Sequence, residues 1–162
     1  MISLLLKIGL VVFCIAIIVI GLGLSGGMFR LWPTSFGDEK LHITSSTIER
    51  LRALRSESKF HSDKALFYPG APDESLRLEA EGRINALLDR LIDGLPAKPH
   101  RDFLLANVKI TLSAFNSSDS EERDRVGRYI EEVMAITGLG DSGELLNVWR
   151  YGLPFGWIKR RS

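Results

Sequence analysis

The apolar run from Ile8 to Leu24, broken only by Gly9, Gly21 and Gly23 and bounded by Lys7 and Arg30, constrains this chain more than any other stretch. At about 1.5 Å rise per residue, the run together with Ser25–Phe29 is long enough as a helix to cross a hydrocarbon core of roughly 30 Å. Lipid offers the backbone no hydrogen-bonding solvent, so a lone spanning segment must bond to itself as a helix. That requirement overrides the poor helix propensity of its Ile and Val. Residues 1–29 are therefore expected to be a transmembrane signal-anchor that meets the bilayer through residues 8–29.

Three rival readings are weaker. A cleaved leader has a shorter apolar region of roughly 7–15 residues and a small-x-small site, whereas this run is longer and offers only Gly-Leu-Gly-Leu-Ser-Gly-Gly, with cleavage near Gly26 as the alternative. A lipoprotein needs a small residue before its acylated cysteine, but Cys14 follows Phe13 inside the run. Cys14 is expected to be a small apolar side chain in lipid. A buried core helix would need other segments apolar on all sides, and none exists. Gly21, Gly23, Gly26 and Gly27 contain no Gly-x-x-x-Gly, so a loose juncture is favoured over a helix-packing face.

Lys7 before the span nearly balances Arg30 and Lys40 after it, so the positive-inside bias is slight. The short leading segment favours an amino terminus inside and a domain outside the cytoplasm; a cytoplasmic domain or a cleaved, secreted one are the alternatives. Single-pass insertion in the inner (plasma) membrane is expected. The chain carries 21 basic and 20 acidic side chains, and Lys7 is the only charge before Arg30, so the rest is formally neutral. That balance gives no footprint for nucleic acid. One cysteine, inside the run, excludes a disulfide or a thiolate metal site in the domain.

Residues 30–44 contain Trp32, Pro33, Phe36 and Gly37 without a sustained period and are expected to be a juxtamembrane linker. Arg30 and Trp32 suit the interfacial layer at the end of a span. Ser46-Thr47-Ile48-Glu49 spells a capping box, opening a helix to about Ser58 with Ile48, Leu51 and Leu54 facing inward. Lys59–Asp73 is a connection rich in aromatics and turn formers, expected to be pinned to a core. Asp73 is the N-cap of the clearest amphipathic helix, with Leu76, Ala80, Ile84, Leu87, Leu91 and Leu95 in steps of three and four. Its Glu74, Arg77, Glu81, Asp89 and Asp93 fall on or beside the wet face, Gly94 and Pro96 end it, and Gly82 predicts a close helix crossing.

Pro99–Phe115 fits two patterns. Val108, Ile110, Leu112 and Ala114 alternate as in a half-buried strand, while Asp102, Ala106, Lys109, Ser113 and Asn116 form a polar stripe on an otherwise apolar helix. The helix explains the longer stretch, and no partner strand is found elsewhere. Ser118-Asp119-Ser120-Glu121 is a second capping box, followed by the apolar line Val126, Ile130, Val133 and Thr137, joined by Tyr129, Met134 and Ile136. Gly138 and Gly140 stop it. Asp141–Tyr151 is expected to be a short helix lidding the core, and Gly152–Trp157 an extended close. The whole is all-α: one transmembrane helix, the linker, and a soluble helical domain over 45–162 with four to five helices.

The search for chemistry is largely negative. His42, His61 and His100 have no metal-ligand spacing, so no metal or cofactor is expected. No Gly-x-Ser-x-Gly elbow is present. Gly138-x-Gly140-x-x-Gly143 matches a dinucleotide fingerprint in letters but follows a helical pattern rather than a strand. His100, Arg101 and Asp102, with Glu79 and Glu81 on the preceding helix, are the one polar constellation that could run acid–base chemistry, and surface patterning explains it more simply. At the carboxyl end Trp157, Lys159, Arg160 and Arg161 could touch anionic head groups, though a solvated terminus is the favoured account of so few cations.

Gly143-Glu144-Leu145-Leu146-Asn147-Val148-Trp149-Arg150-Tyr151-Gly152 resembles the closing Leu-Leu-Asn-x-Trp-x-Tyr-Gly of a family of small bacterial proteins, domain of unknown function 4844. The resemblance implies a small all-helical bacterial domain after Ser45 and supplies no activity or site residues. By their spacing, Leu145, Leu146 and Trp149 are an apolar anchor, and Asn147 and Tyr151 polar groups that tie the closing segment down. The expected function is a membrane-anchored binding or accessory domain acting on a protein partner, in the manner of an envelope accessory or immunity protein, and not an enzyme. The alternative is a small tethered hydrolase using His100 with a carboxylate such as Glu81.

Overall fold

The computed structural model of the chain describes residues 27–154. The run Ile8–Leu24 lies outside them, as do Trp157, Lys159, Arg160 and Arg161. After a helical stretch at residues 27–31, five α-helices follow in order: α1 (Ser45–Ser56), α2 (Glu74–Gly94), α3 (Arg101–Ser113), α4 (Ser120–Thr137) and α5 (Leu145–Tyr151), with a 3-10 turn at Lys64–Leu66. The described residues hold no strand, only the isolated bridges Lys40 to His100 and Asp63 to Tyr68. The all-α expectation is met. Among the described residues no helix is long and apolar enough to cross a membrane.

The chain divides into two units, one over Pro33–Leu146 and one that includes residues 27–32 and 147–154. In the first, α1 packs on α2 and α4, and α2 packs on α3. The core is where the helical period put it: Leu51, Ile84, Leu87, Leu91, Leu104, Val108, Val126, Ile130 and Val133 are all removed from water. Each such side chain contributes about 1.5–3 kcal/mol relative to exposure. In the second unit residues 27–31 are helical. Phe29, Trp32, Val148 and Trp149 are buried there, and Tyr151 and Leu153 are exposed.

Helix starts follow side-chain oxygens, shifted slightly from the sequence expectation. Thr44, in extended conformation, caps α1: its hydroxyl accepts the Thr47 N–H at 3.2 Å and the Thr47 hydroxyl accepts the Thr44 N–H at 3.2 Å. The box thus opens two residues before Ser46, which is already helical. Asp73 caps α2 as expected, accepting the Leu76 N–H at 2.9 Å. Asp119, one residue after Ser118, caps α4 by accepting the Glu122 N–H at 2.8 Å. Gly138, at φ +75°, ends α4 in the left-handed conformation that favours glycine.

The ambiguous segment is a helix, and its expected polar stripe, Asp102, Ala106, Lys109, Ser113 and Asn116, is half-buried to exposed. The polar residues that meet a cation lie off that stripe: Arg90 of α2 donates to the buried Asn107 side-chain oxygen at 2.9 Å and to the buried Thr111 hydroxyl at 3.0 Å. The close crossing is not at Gly82, where a Cβ would meet nothing within 4 Å. It is at Gly94, where a Cβ would lie 2.2 Å from the Phe103 ring, because the chain turns back sharply between α2 and α3. Arg77 is also a correction: placed on the wet face by its period, it is buried.

Residues 36–41, within the expected linker, lie along the start of α3. Leu41 N–H donates to Pro99 O at 2.7 Å, Arg101 N–H to Glu39 O at 2.9 Å, and Leu41 is buried.

Candidate functional site

The connection between α1 and α2 is aromatic because it is packed, and the packing leaves one part of it outside. Lys59 is 1% exposed, and its ammonium donates to Leu54 O at 2.6 Å and Glu57 O at 2.8 Å. It satisfies carbonyls that the end of α1 leaves orphaned. Burial pushes its pKa down. Arg77 donates to Lys59 O at 3.0 Å and to Glu81 at 2.6 Å, and Glu81 accepts the Lys59 N–H at 2.8 Å. The Lys59 N–H, then Arg77, hold the Glu81 carboxyl below its usual range. Glu74 accepts from the other edge of the same guanidinium at 2.7 Å. Arg77 is thus buried because it fastens the loop to α2.

Phe60 then takes φ +61° and is buried, its ring 6.2 Å from that of Phe115 and 5.2 Å from that of Tyr129. Its N–H donates to the Tyr129 hydroxyl at 3.1 Å. Beyond it Asp63 and Tyr68 exchange both backbone hydrogen bonds, at 2.8 and 2.9 Å, closing a tight finger around the 3-10 turn. The Asp63 carboxylate accepts the Ala65 N–H at 3.1 Å and Arg125 at 3.2 Å. Arg125 in turn stacks over Tyr68 and Tyr129 at 5.6 and 5.0 Å. At the finger's base Gly70 has φ +94°, and a Cβ there would lie 3.0 Å from the Ser62 nitrogen. The finger is therefore held at its root by hydrogen bonds, an ion pair and a close backbone approach. It exposes Lys64 and, at φ +53°, Phe67, which is 91% exposed.

Beside the finger runs a groove of ≈ 760 Å³. Tyr68, Pro69, Pro72 and Leu76 give it apolar wall, and burial pushes the Tyr68 hydroxyl up to about 12, so it stays a neutral donor. Glu79, Asp119, Glu121 and Glu122 give it an acidic rim. The cation in its lining, Arg83, is already engaged by Glu79 at 2.5 Å and Ala114 O at 2.7 Å and lies over the Phe115 ring. Among the described residues no cation pairs with Glu121 or Glu122. A smaller cleft of ≈ 160 Å³, lined by Phe67, shares Tyr68 and Glu121 with the groove, which puts the finger at the groove's edge.

The residues singled out from sequence are placed differently. His100 and Glu81 do not bond to each other: Glu81 serves Arg77 and Lys59, while His100 Nδ1 lies 3.1 Å from Asp38. Asp38 also accepts the Asp102 N–H at 3.0 Å, and this bond, then His100, lowers its pKa. Donor atoms of Asp38, His100 and Asp102 lie within 4.8 Å of one another. Their geometry is that of a cap, because His100 is the N-cap of α3 and makes no side-chain bond to it, and Asp38 reaches across to supply one. Leu145 and Trp149 are buried as expected, Leu146 and Asn147 half-buried, Tyr151 exposed. Arg30 is exposed and Trp32 is buried. Gly143, the last glycine of the fingerprint-like run, has φ +57°, and a Cβ there would lie 2.5 Å from the Arg101 guanidinium, so it makes room for an arginine and not a phosphate.

Sequence reasoning missed the groove and the finger, and also the contact of Ser58 Oγ with His61 Nε2 at 2.7 Å. The signals that could have found the finger are the unpaired apolar Phe67 between turn formers and Leu76, which is 45% exposed despite its helical phase.

A sequence model of the family described as Domain of unknown function (DUF4844) matches residues 42–154. Neither the curated proteins nor the solved structures contain a match.

Proposed function

We propose that this chain, which belongs to the family described as Domain of unknown function (DUF4844), is a membrane-tethered binding domain whose groove takes a segment of a protein, in the manner of an envelope accessory or immunity protein. The tether is the apolar run Ile8–Leu24, and the domain lies outside the cytoplasm. The observation that carries the reading is the groove's combination of apolar wall with two carboxylates, Glu121 and Glu122, that no cation among the described residues serves. Such a surface fits a segment presenting an aromatic or aliphatic side chain next to lysine or arginine. The apolar contact supplies affinity and the charges supply orientation and on-rate.

The test is a titration of the full chain in lipid nanodiscs with an acetylated hexapeptide bearing one Trp among Lys and Arg, followed through backbone amide shifts. Shifts confined to residues 68–72 and 117–122, absent with an Asp- and Glu-substituted control peptide, are expected. Equal response to both peptides would remove the groove from consideration. A reporter fused after Ser162 that is active only in the cytoplasm would reverse the orientation.

A second reading, a small tethered hydrolase, draws on His100, now with Asp38 in place of Glu81 as its carboxylate. His100→Ala that folds normally yet abolishes the cellular phenotype would favour it; an intact phenotype is expected.

A further inference from the structure

Two phenylalanines in the connection adopt left-handed backbone, at a cost of order 1–3 kcal/mol each for a bulky residue. For Phe60 the cost is offset inside the molecule, because its ring is buried between Phe115 and Tyr129. For Phe67 no contact among the described residues offsets it. The ring is 91% exposed at φ +53°, on a finger whose root is fixed by the Asp63–Tyr68 hydrogen bonds and the Arg125 ion pair. An aromatic side chain presented to water from a fixed root is what a preorganised binding anchor looks like, since little ordering entropy remains to be lost on docking.

The finger also carries its own complement to the groove beside it. Lys64 is exposed on the same short turn as Phe67, so the finger presents a cation and an aromatic ring together. The groove offers Tyr68, Pro69, Pro72 and Leu76 for the ring and Glu121 and Glu122 for the cation. A protrusion and its matching hollow lying side by side on one surface form a self-complementary patch. Two copies related by a two-fold axis between finger and groove satisfy both at once, and the contact closes without leaving an end for a third copy. We propose that the groove is occupied by the finger of a second copy of this chain, Lys64 and Phe67 of each copy entering the groove of the other. This deepens the binding-domain reading and rests on it, because it names the segment that the groove takes. Even two such turns in two grooves make a small contact that is weak in free solution. Confinement to a bilayer raises the effective concentration enough to populate it.

The test uses the full chain in lipid vesicles, donor and acceptor fluorophores being fused after Ser162 on separate copies, with energy transfer followed as lipid dilutes the protein. Transfer that falls with dilution is expected for the parent. Phe67→Ala should weaken association at least about tenfold, as loss of a central aromatic anchor does, while leaving the thermal midpoint no lower. Lys64→Glu should weaken it too, and pairing that copy with one carrying Glu121→Lys and Glu122→Lys should restore it. That rescue distinguishes the finger-in-groove contact from pairing through the apolar run, which none of these substitutions touches. Transfer unchanged by Phe67→Ala, or no rescue by the exchanged charges, overturns the proposal. If it is overturned while the Trp-Lys-Arg peptide still shifts residues 68–72 and 117–122, the groove binds a different protein and the binding-domain reading stands. If phosphatidylglycerol vesicles instead protect Phe67 from solvent and the peptide has no effect, both fall.

Discussion

A single side chain can oppose the stability of its own fold, and Phe67 is the case here. Its left-handed backbone and 91% exposure mean that replacing it costs no core contact. Phe67→Gly is therefore expected to stabilise the chain by up to about 1 kcal/mol, read as a raised thermal midpoint in mild detergent, because glycine adopts that conformation without the steric cost. A lowered midpoint would show that the ring has a partner within the chain. Glu81 makes the opposite kind of statement. Its carboxyl is held below the usual 4.5 by the Lys59 N–H and Arg77, so the folded state binds its proton less readily than the unfolded one. The stabilisation it gives is complete above that usual value and is lost as pH falls through the lowered one. Denaturation midpoints should therefore drop between neutral pH and pH 3, and Glu81→Gln should flatten this acid limb while lowering stability at neutral pH.

Within the helices, the two glycines of α2 make a paired prediction. Gly82 has open space where a Cβ would go, so Gly82→Ala should stabilise by about 1 kcal/mol through helix propensity alone. At Gly94 the new Cβ would lie 2.2 Å from the Phe103 ring, and Gly94→Ala should destabilise by about 1–3 kcal/mol as the ring is pushed aside. Chemical denaturation of both variants checks the sign of each. Sequence pattern alone assigned the crossing to Gly82, since an interior glycine in a long helix is costly and invites a reason. The reversal arises because crossings depend on where the next element turns back. At the end of α1, Lys59→Ala should cost about 1–3 kcal/mol, since it leaves the buried carbonyl of Leu54 and the part-buried one of Glu57 without their donor. A cost below about 0.5 kcal/mol, the range of neutral surface changes, would show that water replaces the ammonium.

For the chain as a whole, the proposed tether is the feature to test first: removing residues 1–26 is expected to move the protein from carbonate-washed membranes to the soluble fraction. What was legible in the sequence was whatever depends on spacing along the chain. The apolar lines through Ile84, Leu87 and Leu91, and through Val126, Ile130 and Val133, needed only the helical period to be read as core, and all six are fully buried. The cap at Asp73 needed only a short polar side chain ahead of a periodic run, whereas the box expected at Ser118 gave way to a cap one residue on, at Asp119. Partners distant in sequence could not be read this way. Arg77 belongs by period to the wet face, but the loop carrying Ser58 and Lys59 folds over it and turns a surface charge into a buried clasp. Likewise His100 finds Asp38, 62 residues away, and Arg90 finds Asn107 and Thr111 across a helix boundary. The groove is the extreme case, since its walls come from a loop, α2 and the start of α4, three segments distant in sequence. Local composition and period determine which residues leave water, because burial along a helix repeats with the helix. Which charges meet, and which apolar side chain is left standing outside, was decided only when the loops closed, because those outcomes depend on distances between segments that carry no shared period.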